Sequence, residues 1–189
     1  QLNIPEVNCV YPLLKSVGEI TKFDHSKRAE FPVLENLGDG YLYNSSAPKL
    51  VEARNIYIDQ KSDLPNLKRL GSLSAQNIRL SSEEDQRLIG ILPELEEING
   101  AYGTTIAENY SLPKLKLFVG PKIQIYPRAS LPSFETAGGL VVTYVGLPGL
   151  KEATGLESRS PNTFESLEGV GTLHAGFGYF PKLKNIHGN

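Results

Sequence analysis

The sequence predicts a mainly β fold, a right-handed solenoid of parallel strands wound in about ten short turns. Three observations carry this. A frame of proline, any residue, a large apolar residue, two residues and a second apolar residue restarts at Pro12, Pro32, Pro48, Pro65, Pro93, Pro113, Pro132, Pro148 and Pro181, with Glu165 filling the proline slot once. The segments that follow alternate apolar and polar residues, as half-buried strands do. The residue three places after each proline alternates in charge along much of the chain.

Within the frame, position two holds Leu14, Leu34, Leu50, Leu67, Leu95, Leu115, Phe134, Leu150, Leu167 and Leu183. Position five holds Val17, Leu37, Ala53, Leu70, Ile98, Phe118, Ala137, Ala153, Val170 and Ile186. Both face inward, because a unit this short cannot bury its own apolar side and must stack on its neighbours. Beyond position five come alternating runs such as Asn55-Ile56-Tyr57-Ile58-Asp59 and Lys122-Ile123-Gln124-Ile125. Each turn is thus expected to carry two short strands. Gly18, Gly38, Gly71, Gly138 and Gly171 fall between them, at a corner where positive φ is expected. Proline suits the opening bend because it has no N–H to give a ladder.

Taken in order, residues 1–11 read as a capping turn and the repeats run from 12 to 189, with no gap for a second domain. The first full turn ends in a polar stretch, Asp24-His25-Ser26-Lys27-Arg28, expected as a loop. Restarts lie 16 to 20 residues apart except for one interval of 28. That interval holds Ser82-Glu83-Glu84-Asp85, a helix-start pattern followed by Leu88, Ile89, Ile91 and Leu92, which predicts one short inserted helix over 82–92. The last turn carries no polar cap after His187-Gly188, so end-to-end or edge association is expected there, or a longer parent protein.

Position three reads Lys15, Glu35, Val51, Lys68, Glu96, Lys116, Glu135, Lys151, Glu168 and Lys184. In parallel strands about 4.8 Å apart this column sets each Lys between two Glu. Such a column reads as register and solubility rather than as a binding site. A net charge of −2 argues against a nucleic-acid partner. No run of eighteen apolar residues exists to span a membrane. The lone Cys9 excludes an internal disulfide and a cysteine-based zinc site, and reads as a small buried hydrophobe, with a lipidated cysteine as the alternative. His25, His174 and His187 lack a metal spacing, and no cofactor is expected. Asp59, Glu157 and Arg159 are expected to lie too many turns apart to act together, so no catalytic residues are assigned and an enzyme ranks third.

The repeated LPxLxxLGxLxAxN (Leu64-Pro65, Leu67, Leu70-Gly71, Leu73, Ala75, Asn77), with LPELEEINGAY and FPKLKNIHG, resembles leucine-rich-repeat-like solenoids, particularly the receptor L-domain type and bacterial LPxLxxVGG-repeat surface proteins. The 16 to 20-residue units depart from the standard leucine-rich repeat and favour a β-helix-like coil over a helix-lined horseshoe. The resemblance implies a secreted or cell-surface recognition or adhesion module and carries over no catalytic residue. A binding face is sought on the outward residues of the second strand. Counting nine and eleven places from each proline puts Phe23, Tyr41, Tyr43 and Tyr57 together as an exposed aromatic cluster, with Ser74 and Tyr102 next in line. Exposed aromatics anchor protein partners or stack on glycans, although tyrosine also simply favours strand surfaces. The alternative role is a structural spacer within a larger surface protein. Two Asn-x-Ser sequons, at Asn44 and Asn109, matter only in a eukaryotic secreted chain.

Overall fold

The computed structural model describes residues 1–5, 7–21, 26–59, 61–75, 90–176 and 178–187. It is a parallel β-solenoid of about nine turns, mainly β throughout. Its main sheet has 13 strands, and every recorded strand pairing is parallel.

Each frame begins with a tight turn. The N–H of the position-two residue donates to the carbonyl of the residue before proline, as in Leu50 to Ala47 (3.1 Å) and Leu150 to Leu147 (3.2 Å). Proline thus occupies the second place of a β-turn, where its fixed φ is already right and its missing N–H costs nothing. The position-two side chain then drops into the core. Leu34, Leu50, Leu67, Leu95, Leu115, Phe134, Leu150 and Leu167 are all fully buried.

The chain next runs along the first face. Position-five residues stack directly on one another: Val17 on Leu37, Leu37 on Ala53, Ala53 on Leu70, Leu70 on Ile98, Ile98 on Phe118, Phe118 on Ala137, Ala137 on Ala153, Ala153 on Val170 and Val170 on Ile186. The position-three column is continuous as well. Glu35, Lys68, Glu96, Lys116, Glu135, Lys151, Glu168 and Lys184 each donate a backbone N–H to the position-three carbonyl of the preceding turn, at 2.8–3.0 Å. Ion pairs form along it between Lys151 and Glu135 (3.0 Å) and between Lys184 and Glu168 (2.9 Å). Both pairs are exposed, so their energy is small and their effect is on register.

At the first corner the inward phase slips. In strands β3 (Ser16–Thr21), β5 (Asn36–Tyr41), β7 (Glu52–Ile58) and β8 (Arg69–Ala75), the inward residues are three apart, as in Ala53 and Ile56 or Leu70 and Leu73. Two successive residues point outward, and the strand bends from the first face to the second. Glycine is needed here, but not for its φ, since no described glycine has positive φ. The reason is close approach: a Cβ on Gly38 would lie 2.1 Å from the carbonyl oxygen of Gly18, and one on Gly71 2.3 Å from that of Arg54. Arg54 and Thr154 stand at the same corner, and their backbone carbonyl oxygens are what approach Gly71 and Gly171.

A third face completes each turn. Short strands such as β2 (Cys9–Val10), β4 (Ala29–Glu30) and β6 (Ser45–Ser46) stack parallel just before the proline turn. Their inward residues, among them Ala29, Phe31, Ser45, Ala47, Tyr110 and Leu112, are fully buried. Tyr11 stacks on Phe31 (centroids 5.3 Å) and Phe164 on Phe180 (5.1 Å) in this column. The corner leading into it is turned at Asn44, Asn109 and Arg128, which hold φ of 44°, 60° and 63°. Asparagine is at home in this left-handed region, which explains both sequon positions as structure. In residues 1–11, β1 (Leu2–Asn3) and β2 extend the main and third sheets by pairing with β3 and β4.

Most of the helix expected over 82–92 lies outside the described residues. Its end is a strand, β9 (Gly90–Ile91), paired with β12 (Tyr110–Ser111) on the third face. The extra residues of the long interval therefore fall, in sequence, between β8 on the second face and β9 on the third.

One strand tests the account of the corner. Gly171→Ala puts a Cβ 2.1 Å from the Thr154 oxygen and is expected to destabilise by more than about 2 kcal/mol, whereas Gly169→Ala, with nothing within 4 Å, is expected to change stability by less than about 0.5 kcal/mol. Chemical denaturation of both variants measures the difference.

Candidate functional site

The second face brings two outward columns side by side. The first runs Glu19, Asp39, Asn55, Ser72, each directly opposite the next. Ser72 Oγ donates to Asn55 Oδ1 (2.7 Å), and Asn55 Nδ2 donates to Asp39 Oδ1 (2.6 Å). Arg54 approaches from the corner, its Nε donating to Asp39 Oδ1 (3.0 Å) and its second guanidinium nitrogen pairing with Oδ2. The guanidinium, and to a lesser degree the Asn55 amide, hold the Asp39 carboxyl below the usual carboxylate range. The column therefore carries little net charge beyond Glu19.

The second column contains Tyr41, Tyr57, Ser74 and Thr105, again in direct register. Tyr41 and Tyr57 stack with centroids 4.5 Å apart and planes 13° from parallel. That is the spacing of neighbouring strands, so the rings ride on the ladder itself. Ile20, Ile56 and Leu73 form the buried floor between the two columns. Together with Tyr102 and Gly103, this floor and the two columns as far as Ser72 and Ser74 line a groove of about 310 Å³.

Of the four aromatic residues expected to cluster, Tyr41 and Tyr57 are together and open to solvent, Tyr57 being 36% exposed. Phe23 lies outside the described residues. Tyr43 touches Tyr41 (centroids 6.0 Å) but is only 6% exposed, so it supports the cluster rather than presenting itself. Burial, with Tyr41, Tyr57 and Asp59 nearby, pushes its hydroxyl above the ordinary tyrosine range. Below it Asp59, 1% exposed, accepts the N–H groups of Asn44 and Lys61 and the Ser62 hydroxyl. This carboxylate ties the corner together, which is structural work for a residue on the outward count.

Tyr102 was placed beside Ser74 by counting; the structure puts Thr105 there. Additional residues at the first corner of that turn, between β10 (Glu97–Asn99) and β11 (Thr104–Ile106), push Tyr102 out to the rim, where it is 65% exposed. Its place on the groove follows from the insertion and not from the repeat count. An extra residue after Ala137 likewise turns Val141, nine places after Pro132 and so outward by the same count, inward, where it is fully buried. The polar column was missed because its members differ chemically from turn to turn. A second aromatic column stands further along, with Tyr126 stacked on Tyr144 (5.8 Å) and Arg159 6.0 Å above the Tyr144 ring. There Arg159 Nε also pairs with Glu157 (2.6 Å), so these two meet, while Asp59 is held elsewhere by its own partners. Cys9 is partly buried against the core at the first turn. No cluster of metal-ligating side chains is found among the described residues, and no helix there is long and apolar enough to cross a membrane.

Comparison with protein-family models, curated proteins and solved structures found no match to this chain.

The two tyrosine roles separate in stability. Tyr43→Ala leaves a cavity beneath the cluster and is expected to cost about 3 kcal/mol, whereas Tyr57→Ala, exposed and stacked on Tyr41, is expected to cost about 1 kcal/mol. Thermal or chemical unfolding of the two variants checks the order.

Proposed function

We propose that this chain is a non-enzymatic recognition or adhesion module, extracellular or on a cell surface, that binds a protein or glycan through the second face of the solenoid. The observation that carries the reading is the Tyr41–Tyr57 stack, open to solvent beside the Asp39–Asn55–Ser72 polar ladder. Aromatic faces next to fixed hydrogen-bonding groups combine contact area with orientation, the usual make-up of a recognition surface. The ladder also fixes these groups on strands rather than loops, so little ordering entropy is lost on binding. The proline-leucine phase of the repeat supports kinship with leucine-rich-repeat-like surface proteins of the receptor L-domain or LPxLxxVGG kind.

A structural spacer in a larger surface assembly is the second reading. The backbone ladder and exposed Lys–Glu pairs of the first face favour it, because they set register and solubility without presenting a ligand site.

Binding to glycan and protein arrays separates the two. The recognition reading expects a ligand whose binding falls at least about tenfold in Tyr41→Ala/Tyr57→Ala once folding is confirmed. A ligand bound equally well by this variant, or no ligand at all, removes the reading and leaves the spacer.

A further inference from the structure

The tyrosine ladder stops abruptly. Tyr57 has Tyr41 against one ring face, and on the other side its strand partner is Ser74. Among the described residues no third ring stacks there. That position is bounded by Tyr57 on one side, by Ser74 and Gly103 along its base and by Tyr102 at the rim, all of which line the one groove. A ring laid on Tyr57 sits about 3.5–4 Å from it, and the turn spacing of about 4.8 Å leaves room for one ring thickness before the next turn. The slot therefore takes a flat ring edge-on to the solenoid.

The groups beside the slot narrow the chemistry. Ser72 Oγ gives its proton to Asn55 and keeps its lone pairs, while the Asn55 amide has used one of two N–H donors on Asp39. The Ser74 hydroxyl adds a further donor and acceptor. Mixed donors and acceptors in a row suit hydroxyl groups, which both give and accept. Charge points the same way: Asp39 is neutralised by Arg54, and Glu19 leaves the groove mildly acidic, which disfavours an anionic sugar. A protein anchor would instead need a deep apolar pocket, and the apolar floor of Ile20, Ile56 and Leu73 is closed off, each 0–1% exposed.

We infer that the slot between Tyr57 and Tyr102 binds one pyranose ring of a neutral glycan, stacked on Tyr57 and hydrogen-bonded to the Asn55–Ser72 ladder. The inference rests on the recognition reading and specifies its ligand class.

The test is calorimetric or saturation-transfer titration of the full chain with neutral oligosaccharides of β-linked glucose, mannose and N-acetylglucosamine, with a polyuronate as the charged control. At least one neutral sugar is expected to bind, and the polyuronate to bind at least tenfold more weakly. Ser74→Tyr extends the ladder into the slot with a residue that suits it, so the fold is retained and sugar binding is lost. Tyr57→Ala is the second variant and weakens binding roughly tenfold or more. Sugar binding unchanged in a folded Ser74→Tyr variant, or a preference for the polyuronate, overturns the inference. If no sugar binds but a protein ligand is lost in Tyr41→Ala/Tyr57→Ala, the glycan inference falls and the recognition reading stands. If nothing binds this face, both fall.

Discussion

Everything in this molecule depends on turn-on-turn stacking. A unit of 16 to 20 residues supplies about half a dozen inward side chains, too few to close a core alone. Placed on its neighbour in parallel register, each buried leucine or isoleucine gains roughly 1.5–3 kcal/mol from leaving water. The same register sets like on like, and its consequences run through the whole chain: Leu on Leu at position two, Lys beside Glu at position three, ring on ring at Tyr11–Phe31, Tyr41–Tyr57 and Phe164–Phe180. A single constraint thus produces the core, the surface charge pattern and the candidate site.

Corners decide where that constraint delivers outward residues. Most turns bend through two consecutive residues between the inward ones, with glycine where the turn below brings a carbonyl oxygen too close for a Cβ. Three described turns carry extra residues there, after Ile98, Phe118 and Ala137, without disturbing the buried columns. The effect on the second face is large because side chains alternate: one extra residue exchanges inside for outside. Tyr102 at the groove rim and Val141 in the core are both products of such insertions.

The sequence made the first face almost fully legible. Position-two and position-five residues, and the Lys and Glu column, are neighbours just as the proline frame requires, because no insertion falls between the proline and position five. The second face was legible only where the corner holds the same two residues, which is why Tyr41 and Tyr57 were paired correctly and Tyr102 was not. Tyr43 was read as exposed because its parity is outward; its burial comes from packing at the corner above Asp59, which strand parity does not register. The third face was hidden by brevity. Two-residue strands carry no alternation to detect, though the apolar residue before each proline, from Tyr11 to Phe180, was a usable signal. Glycine at the corner was placed correctly for the wrong reason, since close approach and not positive φ demands it.

Because the proposed site exists only if the ladder ends at Ser74 with Thr105 as its next neighbour, the most direct measurement is cross-linking across that step. In a Cys9→Ser background, the pair Ser74→Cys/Thr105→Cys is compared under mild oxidation with Ser74→Cys/Tyr102→Cys. Parallel neighbours in register fall within the roughly 4.4–6.8 Å Cα separation a disulfide needs. The account predicts a disulfide in the first pair and none in the second. A disulfide between 74 and 102, with 74 and 105 remaining free, would contradict the register on which the groove is built.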